Sequence, residues 1–310
     1  MKRRLAIALV ALVCLAVSGC AGSNSKTFRP EILVGSADNG EILRYDAHNG
    51  TYLGIFASGG LLQSPEGMGQ LDSGDVVVGD FVTHHILRYS QSGRFLADMG
   101  ALNGTPYGLL AIGFNDFLVS EFDSLNPLTG KKSGRIVRYT PQNGFQTFIQ
   151  DTTLNGPDGL SIGPDGFLYV SSQNSAQILK YDSTGTLAGV FSSGSPMGAP
   201  NAGPSGNIFG PDNNLYVAQH DTNPVATTNG MVLRYNGRTG AFLDQVVPKG
   251  AGGLSGPIGV LFTPEGDLLV TSAATNQVLR FSLAGQFLGV FATSPNLKDP
   301  FYLAGVYRQL

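Results

Sequence analysis

Residues 178–191 read ILKYDSTGTLAGVF and residues 278–291 read VLRFSLAGQFLGVF. Each has an apolar pair, a base, an aromatic residue, a turn containing Gly and a second apolar run. The first word recurs as ILRY from Ile42 and from Ile86, IVRY from Ile136 and VLRY from Val232. The six bases, Arg44, Arg88, Arg138, Lys180, Arg234 and Arg280, are separated by 44, 50, 42, 54 and 46 residues. Spacings of this size signal a repeat architecture.

A second word recurs as DVVVGD (75–80), DFLVSE (116–121), GFLYVSS (166–172), NLYVAQ (214–219), DLLVTS (267–272) and EILVGS (31–36). Ahead of most of these stands a Pro-x-Gly step, in SPEGM with Pro65, TPYGL with Pro106, GPDGL with Pro157, GPSGN with Pro204 and GPIGV with Pro257. The sixth, DPFYL with Pro300, has no Gly. Apolar runs of five or six residues, interrupted by 43 Gly and 17 Pro, exclude helical repeats of similar length and make each unit a small sheet.

The predicted fold is therefore all-β: a six-bladed β-propeller over residues 31–310, each blade four antiparallel strands. The basic word is the third strand, followed by a hairpin whose Gly supplies positive φ. EILVGS precedes the first basic word, while the last unit ends at FYLAGVYRQL without a second strand. The N-terminal strand is thus expected to complete the last blade and close the ring.

The Pro-x-Gly step, the PDG turn, LYV and ILKYD resemble the NHL-repeat propellers and, more loosely, the regucalcin and gluconolactonase group, over nearly all of residues 31–310. The fold alone does not set an activity, since unrelated functions share it. The second group implies a divalent ion held by a Glu, Asn residues and an Asp. Glu66 in SPEGM matches the Glu, Asp158 stands where an Asn is expected, and Ser172 replaces the Asp. The related streptogramin and amidating lyases imply channel His residues; His48, His84, His85 and His220 all lie away from the Pro-x-Gly steps.

The repeated bases sit mid-strand between apolar and aromatic residues, where a long stem packs and its head reaches a carboxylate or carbonyl. Positions that break the repeat carry more functional information. The x residues are Glu66, Tyr107, Asp158, Ser205, Ile258 and Phe301; the second-strand ends are Asp80, Glu121, Ser172, Gln219, Ser272 and Ser36. This pattern predicts Glu66, Asp80, Glu121 and Asp158 around half of one channel mouth, with His220 beside them. Converging carboxylates require a cation, a proton or a basic ligand. Hard oxygen donors favour calcium or magnesium (Ca2+ or Mg2+), with Glu66 and Asp158 the expected metal ligands. Insertions at 122–134 and 220–230 are expected on the same face, where a protein, peptide or small-molecule ligand would bind.

The N-terminus, MKRRLAIALVALVCLAVSGC, has three bases, an apolar run and a Cys, and reads as a lipoprotein signal peptide over 1–19, with Cys20 acylated and 20–30 a polar tether. Export to a lipid-anchored position follows, on the outer membrane facing the periplasm in a two-membrane host and at the cell surface otherwise. Without the three leading bases the chain carries 16 Lys and Arg against 22 Asp and Glu, which argues against nucleic acid as a partner. Two function classes remain: a binding or scaffold propeller, and a divalent-metal-dependent hydrolase or lyase.

Overall fold

The computed structural model describes residues 28–194, 196–197, 202–221 and 230–309. Cys20 and residues 222–229 of the second insertion lie outside them. Six four-stranded antiparallel sheets stand around a central channel. In chain order the blades after the closing one are Pro65–Gln70, Val76–Asp80, His85–Tyr89 and Phe95–Ala101; Pro106–Ala111, Phe117–Glu121, Arg135–Thr140 and Gly144–Ile149; Pro157–Ile162, Leu168–Ser172, Gln177–Tyr181 and Leu187–Ser193; Ala202–Phe209, Leu215–Asp221, Met231–Tyr235 and Phe242–Val247; and Val260–Phe262, Leu268–Ser272, Gln277–Phe281 and Phe287–Ala292. They are called the second to sixth blades, innermost strand first. Among the described residues no helix is long and apolar enough to cross a membrane.

The first blade joins both ends of the chain, with strand order Pro300–Gln309, Phe28–Ser36, Glu41–Asp46 and Tyr52–Ser58. The N-terminal strand begins at Phe28, ahead of the expected start at residue 31, and its ladder with the C-terminal strand runs from Phe28 opposite Gln309 to Ser36 opposite Pro300. The far end of the C-terminal strand is also held by side chains of the second blade. Gln70 accepts from the Tyr307 N–H at 2.7 Å and donates to its carbonyl at 3.1 Å, while Gln91 donates to the same carbonyl at 2.7 Å and accepts from Gln309 N–H at 3.2 Å. These amides do what a further strand would do for an open edge. Water reaches these groups, so Gln70→Ala with Gln91→Ala should lower stability by about 1–3 kcal/mol without loss of cooperativity, as read by chemical denaturation.

Alternating residues of each strand face opposite seams, and the buried apolar residues form one cluster per seam. Leu33, Ile42 and Val306 of the first blade pack with Val78 and Leu87 of the second; Leu43, Tyr45 and Leu303 pack with Leu269 and Val278 of the sixth. The other four seams repeat this arrangement. The aromatic residue after each base belongs to these seams. Hairpin geometry adds contacts: Gly285 has φ +81°, and a Cβ there would lie 1.7 Å from the Val246 carbonyl oxygen of the preceding blade. Only Gly allows so close an approach in that conformation.

All six repeated bases pair with acids. Arg44 grips Glu31 at 2.8 and 2.9 Å, Arg88 takes Asp75, Arg138 takes Asp116, Lys180 takes Asp165, Arg234 takes Asp244 and Arg280 takes Asp267. Their role is to tie strands within blades, and Arg280 also crosses a seam to donate to the His48 carbonyl at 2.9 Å.

Candidate functional site at the channel mouth

The innermost strands succeed one another around the channel, which places Pro157–Ile162 directly opposite Pro300–Gln309. The Pro-x-Gly step begins the innermost strand in the second, third and fourth blades, lies inside Ala202–Phe209 in the fifth and immediately precedes Val260–Phe262 in the sixth, and its Gly permits the next blade to approach. A Cβ on Gly67 would lie 2.1 Å from the Tyr107 carbonyl oxygen, and one on Gly108 would lie 2.3 Å from that of Asp158. In the first blade Tyr302 stands where the other five have Gly. Its hydroxyl crosses the channel and donates to Asp158 Oδ1.

Asp158 is 1% exposed; its other oxygen accepts from Gln173 Nε2 at 3.3 Å. Burial pushes its carboxyl up to about 6, opposed by the hydrogen bonds from Tyr302 and Ser205. Burial first, and then the charge of Asp158, hold the Tyr302 hydroxyl well above its ordinary range. Tyr107, from the third blade, is raised by burial and by the nearby charges of Asp158, Glu66 and Asp123. Four blades thus bring Glu66, Tyr107, Asp158 and Tyr302 into one electrostatic cluster.

Glu66 is also 1% exposed, and neither carboxyl oxygen has a hydrogen-bond partner among the described residues. Burial raises its pKa well above the ordinary value, reinforced by Asp158, Asp299 and Asp80. A protonated carboxyl is the physical consequence, because an ionised one without donors is too costly in this setting. Glu66 lines a cleft of about 410 Å³ between the first and second blades, together with Asp38, Asp299, Phe81, Val82 and Phe301. Burial, and then the charge of Asp38, push Asp299 up to about 6. Beside the cleft, Phe81, Tyr107 and Phe122 form a continuous aromatic row with centroid separations of 5.8 and 4.7 Å.

The strand-end acids do different work from Glu66 and Asp158. Asp80 accepts from the N–H groups of Gln63 and Ser64, each at 2.7 Å, and from Val82 and Thr83 with its other oxygen. Glu121 is shared between Gly104 N–H and Arg135 Nε, the latter at 2.6 Å. The equivalent residues do the same in the other blades: Ser36 bonds Asn296 and Lys298, Ser172 bonds Asn155, Gln219 bonds Pro196 and Met197, and Ser272 bonds Ser255. This position clamps the loop leading into each innermost strand, and a hydroxyl, amide or carboxylate serves equally. Asp80 still adds negative charge near Glu66. His220 pairs opposite Gly203 in the fifth blade, on the strand that ends in Asp221.

Of the expected insertions, 122–134 forms a small hairpin, Leu125–Asn126 with Lys131–Lys132, and contributes Phe122 to the aromatic row. Glu66 and Asp158 bring two carboxyl groups toward any cation. No group of three or more His, Cys, Asp or Glu among the described residues is arranged to hold a metal ion. Calcium takes six to eight oxygens, so this donor set does not make an all-protein cage.

No family model and no curated protein matches the chain. Solved structures do match. A chain from a nidogen/laminin complex is 17% identical with TM-score 0.66, over 91% of this chain and 100% of that one. A streptogramin B lyase is 20% identical with TM-score 0.56, over 75% and 70%. The PQQ-bound aldose sugar dehydrogenase of Streptomyces coelicolor is 16% identical with TM-score 0.55, over 77% and 84%. At these identities the likeness defines the fold class, a six-bladed β-propeller, and no activity.

Proposed function

We propose that this protein is an exported, lipid-anchored propeller that acts as a binding module, taking its ligand at the channel mouth. The observation that carries this reading is Glu66: a buried carboxyl without a partner, at the base of a cleft with aromatic walls. An unsatisfied buried polar group destabilises a fold by about 1–3 kcal/mol, and a ligand donor would relieve that cost. The nidogen/laminin likeness supports use of this scaffold for partner binding. Signal peptide, lipidation at Cys20 and envelope location rest on the N-terminal sequence.

The test is a mixed fragment library of acids, amines, sugars and aromatics, read by melting temperature on the wild type and on Glu66→Leu. Fragments that raise the wild-type melting temperature should lose their effect on Glu66→Leu, since stabilisation follows occupancy of the native state. Fragments that act equally on both would overturn the mouth as the binding surface. Anchoring is tested separately: Cys20→Ser should leave the membrane fraction and stay folded, whereas fractionation like the parent would refute lipidation.

The lyase or hydrolase reading draws support from one observation, the differing environments of Glu66 and Asp158. A protonated acid beside a carboxyl near 6 is a pattern suited to acid–base chemistry. In that reading Asp158 would accept a proton and Glu66 would donate one. Turnover of a library hit, abolished by Asp158→Asn while binding persists, would favour it over simple binding.

A further inference from the structure

The shape and chemistry of the cleft point to a ligand class, an inference that rests on the mouth being the binding surface. We propose that the cleft takes an alkylguanidinium group, with Glu66 as its deep counter-ion, Phe81 and Phe301 as its walls and Asp38 and Asp299 at its sides.

Three features select this chemistry. The Asp38 and Asp299 carboxylates at the cleft sides disfavour anions, and the unpartnered Glu66 calls for a polar partner that a purely apolar ligand lacks. Both Glu66 oxygens are without partners, and a planar guanidinium donates two parallel N–H bonds to such a pair, whereas an ammonium offers a point charge. Aromatic walls favour a weakly hydrated organic cation over a strongly hydrated metal ion. Phe81 is 39% exposed and Val82 56% exposed, so the apolar wall reaches the surface and can receive an alkyl stem. An arginine side chain and a small free guanidine share this chemistry.

Proton movement supplies a distinctive signature. Glu66 is held neutral in the free protein by burial and by Asp158, Asp299 and Asp80. A guanidinium stabilises its anion, so binding releases a proton from Glu66 and the affinity rises with pH. The other titratable groups facing this region are Asp38, Tyr107 and Tyr302; Asp299, near 6, contributes a smaller release of the same sign.

The experiment is isothermal calorimetry of the full-length protein in detergent with n-butylguanidinium, in phosphate and in Tris at pH 7. Controls are n-butylammonium, n-butanol, calcium chloride and a tripeptide with central Arg and blocked ends. Expected are binding of n-butylguanidinium at least fivefold tighter than n-butylammonium, a buffer-dependent heat showing proton release, and loss of both in Glu66→Gln. Phe81→Ala should weaken binding about two- to fivefold. Tripeptide binding tighter than n-butylguanidinium identifies the source as a protein arginine, and weaker binding identifies it as a small guanidine; both support the proposal. Equal or tighter n-butylammonium binding, or response to calcium alone, overturns the guanidinium assignment and leaves the mouth as a binding surface. No heat with any probe, while the library hits remain sensitive to Glu66→Leu, also overturns the assignment and leaves that surface intact.

Discussion

Deletion of residues 1–36 should abolish the cooperative unfolding transition, whereas deletion of residues 1–27 should leave it unchanged. The strand Phe28–Ser36 lies between the C-terminal strand and Glu41–Asp46, so its loss opens two ladders at once. Ile32, Leu33 and Val34 are 2%, 0% and 0% exposed. Burial of three such side chains contributes about 5–9 kcal/mol, which approaches the whole stability of an ordinary domain. Glu31, 2% exposed, would also leave Arg44 without its carboxylate. Differential scanning calorimetry of the two truncations checks this; equal transitions would show that the ring closes by other means.

The second large effect is on pH dependence. Asp158 is raised from 3.8 to about 6 in the folded state, chiefly by burial. A carboxyl whose folded pKa lies above its unfolded one binds more protons when native. Its contribution is therefore full below about pH 4 and is lost as pH rises through about 6. Two pKa units correspond to on the order of 3 kcal/mol, and Glu66 adds to the loss in the same direction. Stability should thus fall between pH 4 and pH 7, opposite to the behaviour of a salt-bridged carboxylate. Urea denaturation across this range should show the slope, and Asp158→Asn should flatten it. Tyr302→Phe removes a bond that favours the Asp158 anion and should move the loss to higher pH. An unaltered slope in Asp158→Asn would place the titration elsewhere.

Much of the fold was legible because a repeat writes its core six times. The basic word, the second strand and the Pro-x-Gly step each encode local geometry, and the absence of a second strand from the last unit identified the closure. The site was less legible, because it depends on contacts between distant segments. Tyr302 and Asp158 are separated by 144 residues, and the absent Gly in DPFYL marked an exception without revealing that the side chain spans the channel. Asp38 lies outside the repeated words and Asp299 precedes the Pro of DPFYL, a position whose residue type differs from copy to copy, so neither was marked by the pattern. Asp80 and Glu121 attracted attention by their charge, yet their positions are filled by Ser or Gln in the other four blades with the same loop-clamping result. Comparison of that position across blades separates a structural role from a ligand role; charge alone does not.

The relation between stability and function also follows from these positions. Glu66 is buried with both oxygens unpartnered among the described residues, so Glu66→Leu, which removes that polar group, should be more stable than the wild type by about 1–3 kcal/mol while losing ligand response. Glu66 places a buried carboxyl with both oxygens unpartnered at this mouth, whereas at the opposite mouth Gln70 and Gln91 complete a ladder.

The most direct measurement is a carbon-13 NMR titration of the Glu66 carboxyl in protein labelled at glutamate Cδ, with Glu66→Gln to assign the signal. At pH 7 the free protein should show one protonated glutamate resonance that is absent from Glu66→Gln, and n-butylguanidinium should convert it to the ionised form. A Glu66 signal already ionised at pH 7 and titrating in the ordinary carboxylate range would show a solvated or paired side chain, and would contradict the mouth as a site awaiting a donor.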